Sequence, residues 1–305
     1  MKSFNYLRIL FLAIISLSII SCTNDGGDDG LGSKSPMPDK GYKKLVQMNV
    51  IWEEHRYIRE YIDYSVFYNY DKNGTITYIK CKEIDGDWIK TYNLDWGKDG
   101  FTIKREGDDF YEGFYKISNG KILEYRYEYP YSSKRIYNFE YGADGYLKKI
   151  HESYDRNTGF SSYTENYETE YNWFNCKINN VVYQETRSDT EEIIRSRTEQ
   201  YTYDSQKCEG FFPYMLNHTC NDMLEAISYM FGLDQQYLPK SIKVDKKDVG
   251  YDGYSTSRST SRYEFKYTFY DNGYLKSCTE TCFKKNNTTD EYEKYSVCTY
   301  EYFWQ

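Results

Sequence analysis

Few residues in this 305-residue chain have types and spacing that could perform chemistry. There are three histidines, His55, His151 and His218. None stands in a Gly-x-Ser-x-Gly nucleophile turn or a His-Glu-x-x-His zinc helix, where spacing delivers a base or a second ligand to the reacting atom. His218 lies near Cys208 and Cys220, but those three groups lack the fourth ligand of a structural zinc site. The adjacent acids Glu53-Glu54, Asp108-Asp109 and Glu191-Glu192 are the right groups for glycosidase acid–base work. That work needs two carboxylates held about 5–10 Å apart across a sugar. In a chain with 47 acids, adjacency alone describes solvated charge. Asp71-x-Asn73-Gly74 begins like a calcium loop but lacks the later bidentate Glu. These residues predict no enzyme, no metal and no cofactor.

The most specific chemistry is at Cys22. A basic start (Lys2, Arg8) is followed by an apolar run from Ile9 to Ile20 and then Ser21. A run of 12 residues is too short for a bilayer span, which takes about 20. It reads as a signal h-region. Ile19-Ile20-Ser21-Cys22 looks like a bacterial lipobox, which implies cleavage before Cys22 and lipidation of its thiol. The expected organisation is a signal peptide over 1–21, a lipidated Cys22 with a flexible acidic tether over 22–41, and one domain over 42–305. The tether begins Thr23-Asn24-Asp25-Gly26-Gly27-Asp28-Asp29-Gly30, too poor in apolar area to offset the entropy of ordering. Its acids resemble the surface-export signal of Bacteroidetes lipoproteins. That implies an outer-membrane protein held by lipid and facing the cell surface.

Seven cysteines remain, an odd number, and none has metal spacing. Cys208 and Cys220 flank an apolar segment and could be bridged. A turn centred on Thr288 would set Cys278 opposite Cys298 as a candidate disulfide; free buried thiols are the alternative.

Composition sets the fold class. There are 38 tyrosines against 16 phenylalanines, and only Ala143 and Ala226 follow the signal. Alanine is the best helix former, whereas Tyr, Phe and Thr suit strands. Removing Lys2 and Arg8 with the signal lowers the formal net charge from −8 to −10, which opposes binding to nucleic acid.

A hairpin pattern recurs: aromatic alternation, a polar turn with Gly, then an aliphatic strand. Its copies are Tyr68–Ile76, Leu94–Phe101, Tyr115–Ile122, Phe139–Leu147 and Phe269–Leu275. Asn-Gly and Asp-Gly supply the positive φ that tight hairpins need. The strands alternate with period 2: Tyr167 and Tyr171 against Asn166, Glu168 and Glu170; Tyr263, Phe265, Tyr267 and Phe269 against Glu264, Lys266 and Thr268; Cys298, Tyr300, Tyr302 and Trp304 against Thr299 and Glu301. The fold expected is all-β: serial antiparallel hairpins forming a curled sheet or soluble barrel-like structure. One helix is expected near 219–231, with Thr219 and Asp222 at its start and an apolar stripe of Met223, Leu224, Ile227, Met230 and Phe231, covering one end of the sheet.

The Tyr-Asp-x-x-Gly-x-Ile/Leu turns resemble the tyrosine–aspartate repeats of wall-associated and Rhs-type proteins. Lipobox, acidic tether, repeats and the segment leading to Leu238-Pro239 together resemble a Bacteroidetes family of lipoproteins of unknown function, described as having a porin-like β fold. The likeness covers 42–305. Asn175-Cys176 and Gln206-Lys207 stand where it would place a turn glycine. It implies no activity and no functional residue. A membrane pore is not expected, because the candidate outward faces carry Glu, Lys, Arg and Asn where lipid would need an apolar band. The function expected is a noncatalytic binding module for glycan or a partner protein. A structural or assembly lipoprotein is the alternative, and an unrecognised hydrolase follows it. Aromatics beside turn glycines (Trp96, Tyr146 and Tyr274) are the candidate ligand contacts.

Overall fold

The computed structural model describes residues 43–55, 63–107, 112–128, 133–157, 162–187, 192–210, 212, 224, 230–233, 237–249 and 256–305. Cys22 and the tether lie outside them. The strands are β1 (Leu45–His55), β2 (Tyr64–Tyr70), β3 (Ile76–Glu83), β4 (Ile89–Trp96), β5 (Gly100–Arg105), β6 (Glu112–Ser118), β7 (Lys121–Glu128), β8 (Lys134–Tyr141), β9 (Leu147–Asn157), β10 (Ser162–Phe174), β11 (Lys177–Arg187), β12 (Ile193–Lys207), β13 (Tyr237–Val249), β14 (Thr256–Phe269), β15 (Leu275–Lys285) and β16 (Tyr292–Trp304). Each pairs antiparallel with its neighbour in sequence, and β1 pairs with β16 from Leu45↔Trp304 to His55↔Ser296. The sheet is therefore a closed barrel with no free edge.

Because the strands run up and down, the connections sort to two ends. The Gly-containing turns of the sequence repeat all fall at one end, with the start of β1 and the end of β16; we call this the turn end. The turns at 71–75, 142–146 and 270–274 share one hydrogen-bond pattern. In each, the first residue's N–H donates to the fifth residue's carbonyl, and the Gly N–H donates to the first residue's carbonyl. The glycines hold φ of 86°, 79° and 83° at Gly74, Gly145 and Gly273. The β10–β11 turn lacks glycine but is still a two-residue turn. Asn175 and Cys176 both take positive φ, 50° and 60°, between the paired Phe174 and Lys177. Gln206-Lys207 is no turn, since β12 runs through it.

The turn end is also pinned by aromatic side chains. Near the end of a descending strand, a Tyr or Trp donates to the carbonyl at the start of the preceding ascending strand. The pairs are Tyr70 to Leu45, Trp96 to Ile76, Tyr141 to Ile122, Trp173 to Leu147, Tyr203 to Ile178, Tyr267 to Pro239 and Trp304 to Leu275, at 2.5–2.9 Å. Only β6 departs, with Ile117 near its end. Each such ring fills core volume while its polar atom is satisfied, the combination Tyr and Trp offer and Phe does not.

The core lies inside the barrel. Val66, Ile79, Phe101, Ile103, Tyr115, Leu147, Ile178, Leu275 and Tyr302 are almost wholly buried, and the predicted alternation holds: Tyr171, Phe265, Tyr300 and Tyr302 point in. A sixteen-stranded barrel is wide enough to hold an aqueous channel unless something else fills it. Here the described residues of the β12–β13 connection enter the interior at the turn end. Phe212, Leu224, Met230, Phe231 and Leu233 are at most 1% exposed. Phe231 meets Tyr115 on β6 and Phe139 on β8, while Phe212 meets Tyr267 on β14 across the ring. The helix expected near 219–231 falls mostly outside the described residues, among which there is no α-helix.

Gly145→Ala should cost about 1 kcal/mol from its φ alone, since nothing stands within 4 Å of the added Cβ. Gly100→Ala should cost several-fold more in chemical denaturation, because that Cβ would lie 1.8 Å from the Tyr115 carbonyl oxygen.

Candidate functional site

The wall is taller on one side. Strands β2–β8 have six to eight residues, while β9–β16 have 11 to 15. Toward the loop end, away from the turns, the inward positions of the tall wall change character. On β12, Tyr203 and Tyr201 give way to Glu199, Arg197 and Arg195. On β13, Ile242 and Val244 give way to Lys246 and Asp248. On β14, Tyr263 gives way to Ser261, Ser259 and Ser257. The register requires these residues to share the inner face: Tyr183 faces Arg197, Arg197 faces Lys246 and Arg195 faces Asp248.

They form a belt of ion pairs. Arg195 contacts Glu185 at 2.7 Å and Asp248 at 2.6 Å. Arg197 contacts Glu199 at 2.5 Å, and the other Glu199 oxygen accepts the Tyr201 hydroxyl at 2.6 Å. Glu199 and Glu185 are 2% and 5% exposed, so both carboxylates depend on these partners. Along the belt, Arg135 pairs with Glu152 at 3.0 Å, and the Tyr167 hydroxyl donates to Glu165 at 2.5 Å. Burial raises the pKa of Tyr167, Tyr183 and Tyr201, keeping them neutral donors. Burial also raises the Glu152 carboxyl, against the opposing pull of Arg135. Between β11, β12 and β13 the belt opens into a recess of about 410 Å³, lined by Thr169, Val181, Tyr183, Arg195, Arg197, Glu199, Lys246 and Asp248 among others. The arrangement offers charged donors, charged acceptors and a tyrosine ring to a small polar molecule.

The candidate contacts Trp96, Tyr146 and Tyr274 sit at the other end. Trp96 donates to Ile76 and packs on Phe101 at 4.6 Å. Tyr146 stacks on Trp173 at 4.3 Å. Tyr274, 8% exposed, accepts the Lys43 N–H at 2.8 Å and lies against Trp304. The register corrects the expected placement of Cys278 opposite Cys298. The β15–β16 turn is centred between Thr288 and Thr289, and a bulge at Cys282/Phe283 adds a further residue, so Cys278 lies opposite Tyr300 and Cys298 opposite Glu280; both thiols are free and buried. The bridge from Cys208 is likewise corrected: Cys208 is a buried thiol and not half of a disulfide, its pKa pushed up to about 12 by burial. Cys176 is the disulfide-bonded one, with a partner outside the described residues. His151 points outward between Glu140 and Glu168; His218 lies outside the described residues, among which no group of His, Cys, Asp or Glu could hold a metal. The recess residues were missed in the sequence, although one signal marks them: Arg195, Arg197 and Glu199 share the parity of Tyr201 and Tyr203.

In class, the fold is a large antiparallel barrel of the porin-like kind. No protein-family model matches the chain, and no curated protein does. Solved structures that share its fold include two porin-like proteins. A porin-like protein from Bacteroides uniformis is 15% identical with a TM-score of 0.56, the match covering 86% of this chain and 96% of that one. A porin-like protein from Bacteroides vulgatus is 14% identical with a TM-score of 0.52, covering 87% and 99%.

Arg197→Met should destabilise the barrel by about 3 kcal/mol by leaving the buried Glu199 carboxylate without its guanidinium, and adding Glu199→Met should recover part of that loss in urea denaturation. Folding raises the Glu152 pKa above its ordinary 4.5, so its contribution is fully present below pH 4.5 and is lost as pH rises through the folded value. Glu152→Gln should remove that part of the slope of melting temperature against pH; an unchanged slope would refute the assignment.

Proposed function

We propose that this is a lipid-anchored envelope protein that acts as a noncatalytic binding module, taking a polar ligand, a glycan in the first instance, into the open end of its barrel. The observation that carries this reading is the inversion of polarity relative to a membrane barrel. A spanning barrel shows lipid an apolar band about 25 Å tall. Here the outward positions include Lys80, Lys82, Asn93, Asp95, Lys104, Lys116, Glu168, Glu170, Thr198, Gln200, Lys243, Asp245, Glu264 and Lys266, with single apolar residues such as Phe67 and Val182 between them, while the apolar core points in. The large exposed hydrophobics, such as Ile89, Phe114 and Phe174, are scattered. A lipid anchor at Cys22 serves a barrel that does not itself enter the bilayer.

The axial arrangement supports the same reading. β1 starts at the turn end, so a tether from Cys22 would join there and leave the recess facing away from the anchor. Phe212, Leu224, Met230, Phe231 and Leu233 of the β12–β13 connection are packed into that end, which argues against conduction through the lumen. Trp96, Tyr146 and Tyr274 are engaged in packing and hydrogen bonds, so ligand contact is assigned to the recess. An assembly role with another envelope protein is the alternative.

Wild-type protein should fractionate with outer membrane, and Cys22→Ala should not; recovery of wild type in the soluble fraction would overturn the anchoring. The chain from residue 23 onward, applied to a glycan array with product analysis, should show saturable binding without cleavage. Absence of glycan binding together with co-purification of an envelope protein would favour the assembly role.

A further inference from the structure

Within the belt, one charge stands apart. Arg195 is held by Glu185 and Asp248, and Arg197 by Glu199, so every acid lining the recess is already committed to a guanidinium. Lys246 projects into the same recess between them and makes no hydrogen bond or ion pair among the described residues. Its inward position is dictated by register, since it faces Arg197 on β12 and Ser259 on β14. It is accessible to solvent from the lumen, so its ammonium is available to a ligand. Protein nevertheless surrounds the amine enough that burial, and then Arg197, lower its pKa, with Lys284 adding to this. Asp248 and Glu199 pull the other way, each more weakly than Arg197 pushes.

A partly desolvated cation beside a second cation, with no acid of its own, is costly in an empty site and is relieved by an anion. The rest of the recess does not suit a bare ion. Tyr183 presents a ring and a neutral hydroxyl, Thr169 a second hydroxyl and Asp248 an acceptor, the groups that meet sugar hydroxyls and C–H faces. The volume is at the small end of ligand pockets, which run from roughly 300 to 1,000 Å³. Resting on the glycan-binding reading above, we propose that the recess selects an acidic sugar. Its carboxylate would dock against Lys246 beside Arg197, and its hydroxyls would meet Tyr183, Thr169 and Asp248.

The test is calorimetry at constant ionic strength on the chain from residue 23 onward, with glucuronate, glucose and inorganic sulfate as probes. Glucuronate should bind saturably and at least about tenfold more tightly than either other probe, as expected of a charge-assisted contact. Lys246→Met should lose about that factor for glucuronate and leave glucose unchanged, while Lys246→Arg should retain binding. Without ligand, Lys246→Met should melt no lower than wild type, because it removes a cation that has no partner; this shows that lost binding is not lost folding. Equal affinity for glucose and glucuronate, or unaltered glucuronate binding in Lys246→Met, would overturn the acidic preference while leaving glycan binding intact. Sulfate binding as tightly as glucuronate would overturn the sugar. Failure of every saccharide, here and on the array, would overturn the glycan reading together with this one.

Discussion

A ring of sixteen strands encloses more space than wall side chains alone can fill, and most of this architecture answers that excess. At the turn end the answer is bulk. Large rings come inward from every even-numbered strand, with mostly aliphatic side chains between them, and Phe212 and Phe231 of the β12–β13 connection reach opposite walls. At the loop end, against the taller wall, the space is left polar. The same barrel thus has an oil-like end and a salt-like end, with the transition marked on β12 by the step from Tyr201 to Glu199.

The tyrosine content follows from this geometry. A Leu or Phe at the barrel rim would bury its carbon but could not satisfy the first carbonyl of the neighbouring hairpin. Tyr and Trp do both, and seven hairpins use one or the other. Each bond contributes only about 1 kcal/mol, but repetition around the rim ties every ascending strand but one to its partner. A repeated local device of this kind suits a fold in which every strand pairs with its sequence neighbour and only β1 with β16 must meet over a long distance.

The polar end is different in kind. Its Glu185 and Glu199 carboxylates are as buried as the core, and such pairs are weak contributors to net stability, because desolvation offsets most of their attraction. Apolar residues at the same positions would fill the space with less electrostatic penalty. On the function proposed above, Glu185, Arg195, Arg197, Glu199, Lys246 and Asp248 share one inner wall to serve recognition rather than folding alone.

Much of the fold was legible because it is local. Period-2 alternation and the Asn-Gly and Asp-Gly turns depend on residues a few positions apart, so the hairpins, their inward faces and the all-β class could be read from the chain. The Asn175-Cys176 turn escaped because positive φ there is held without glycine. The offset of Cys278 from Cys298 escaped because the turn is centred half a residue past Thr288 and a bulge then adds one more residue of register, so that Cys278 meets Tyr300. The recess was illegible for a stronger reason. Arg195 and Arg197 look like any alternating charges on a strand until closure turns that face inward and brings Asp248, 53 residues along, to 2.6 Å from Arg195. Alternation tells which residues share a face; only closure of the ring, set by the pairing of β1 with β16, decides which face is enclosed and which meets water.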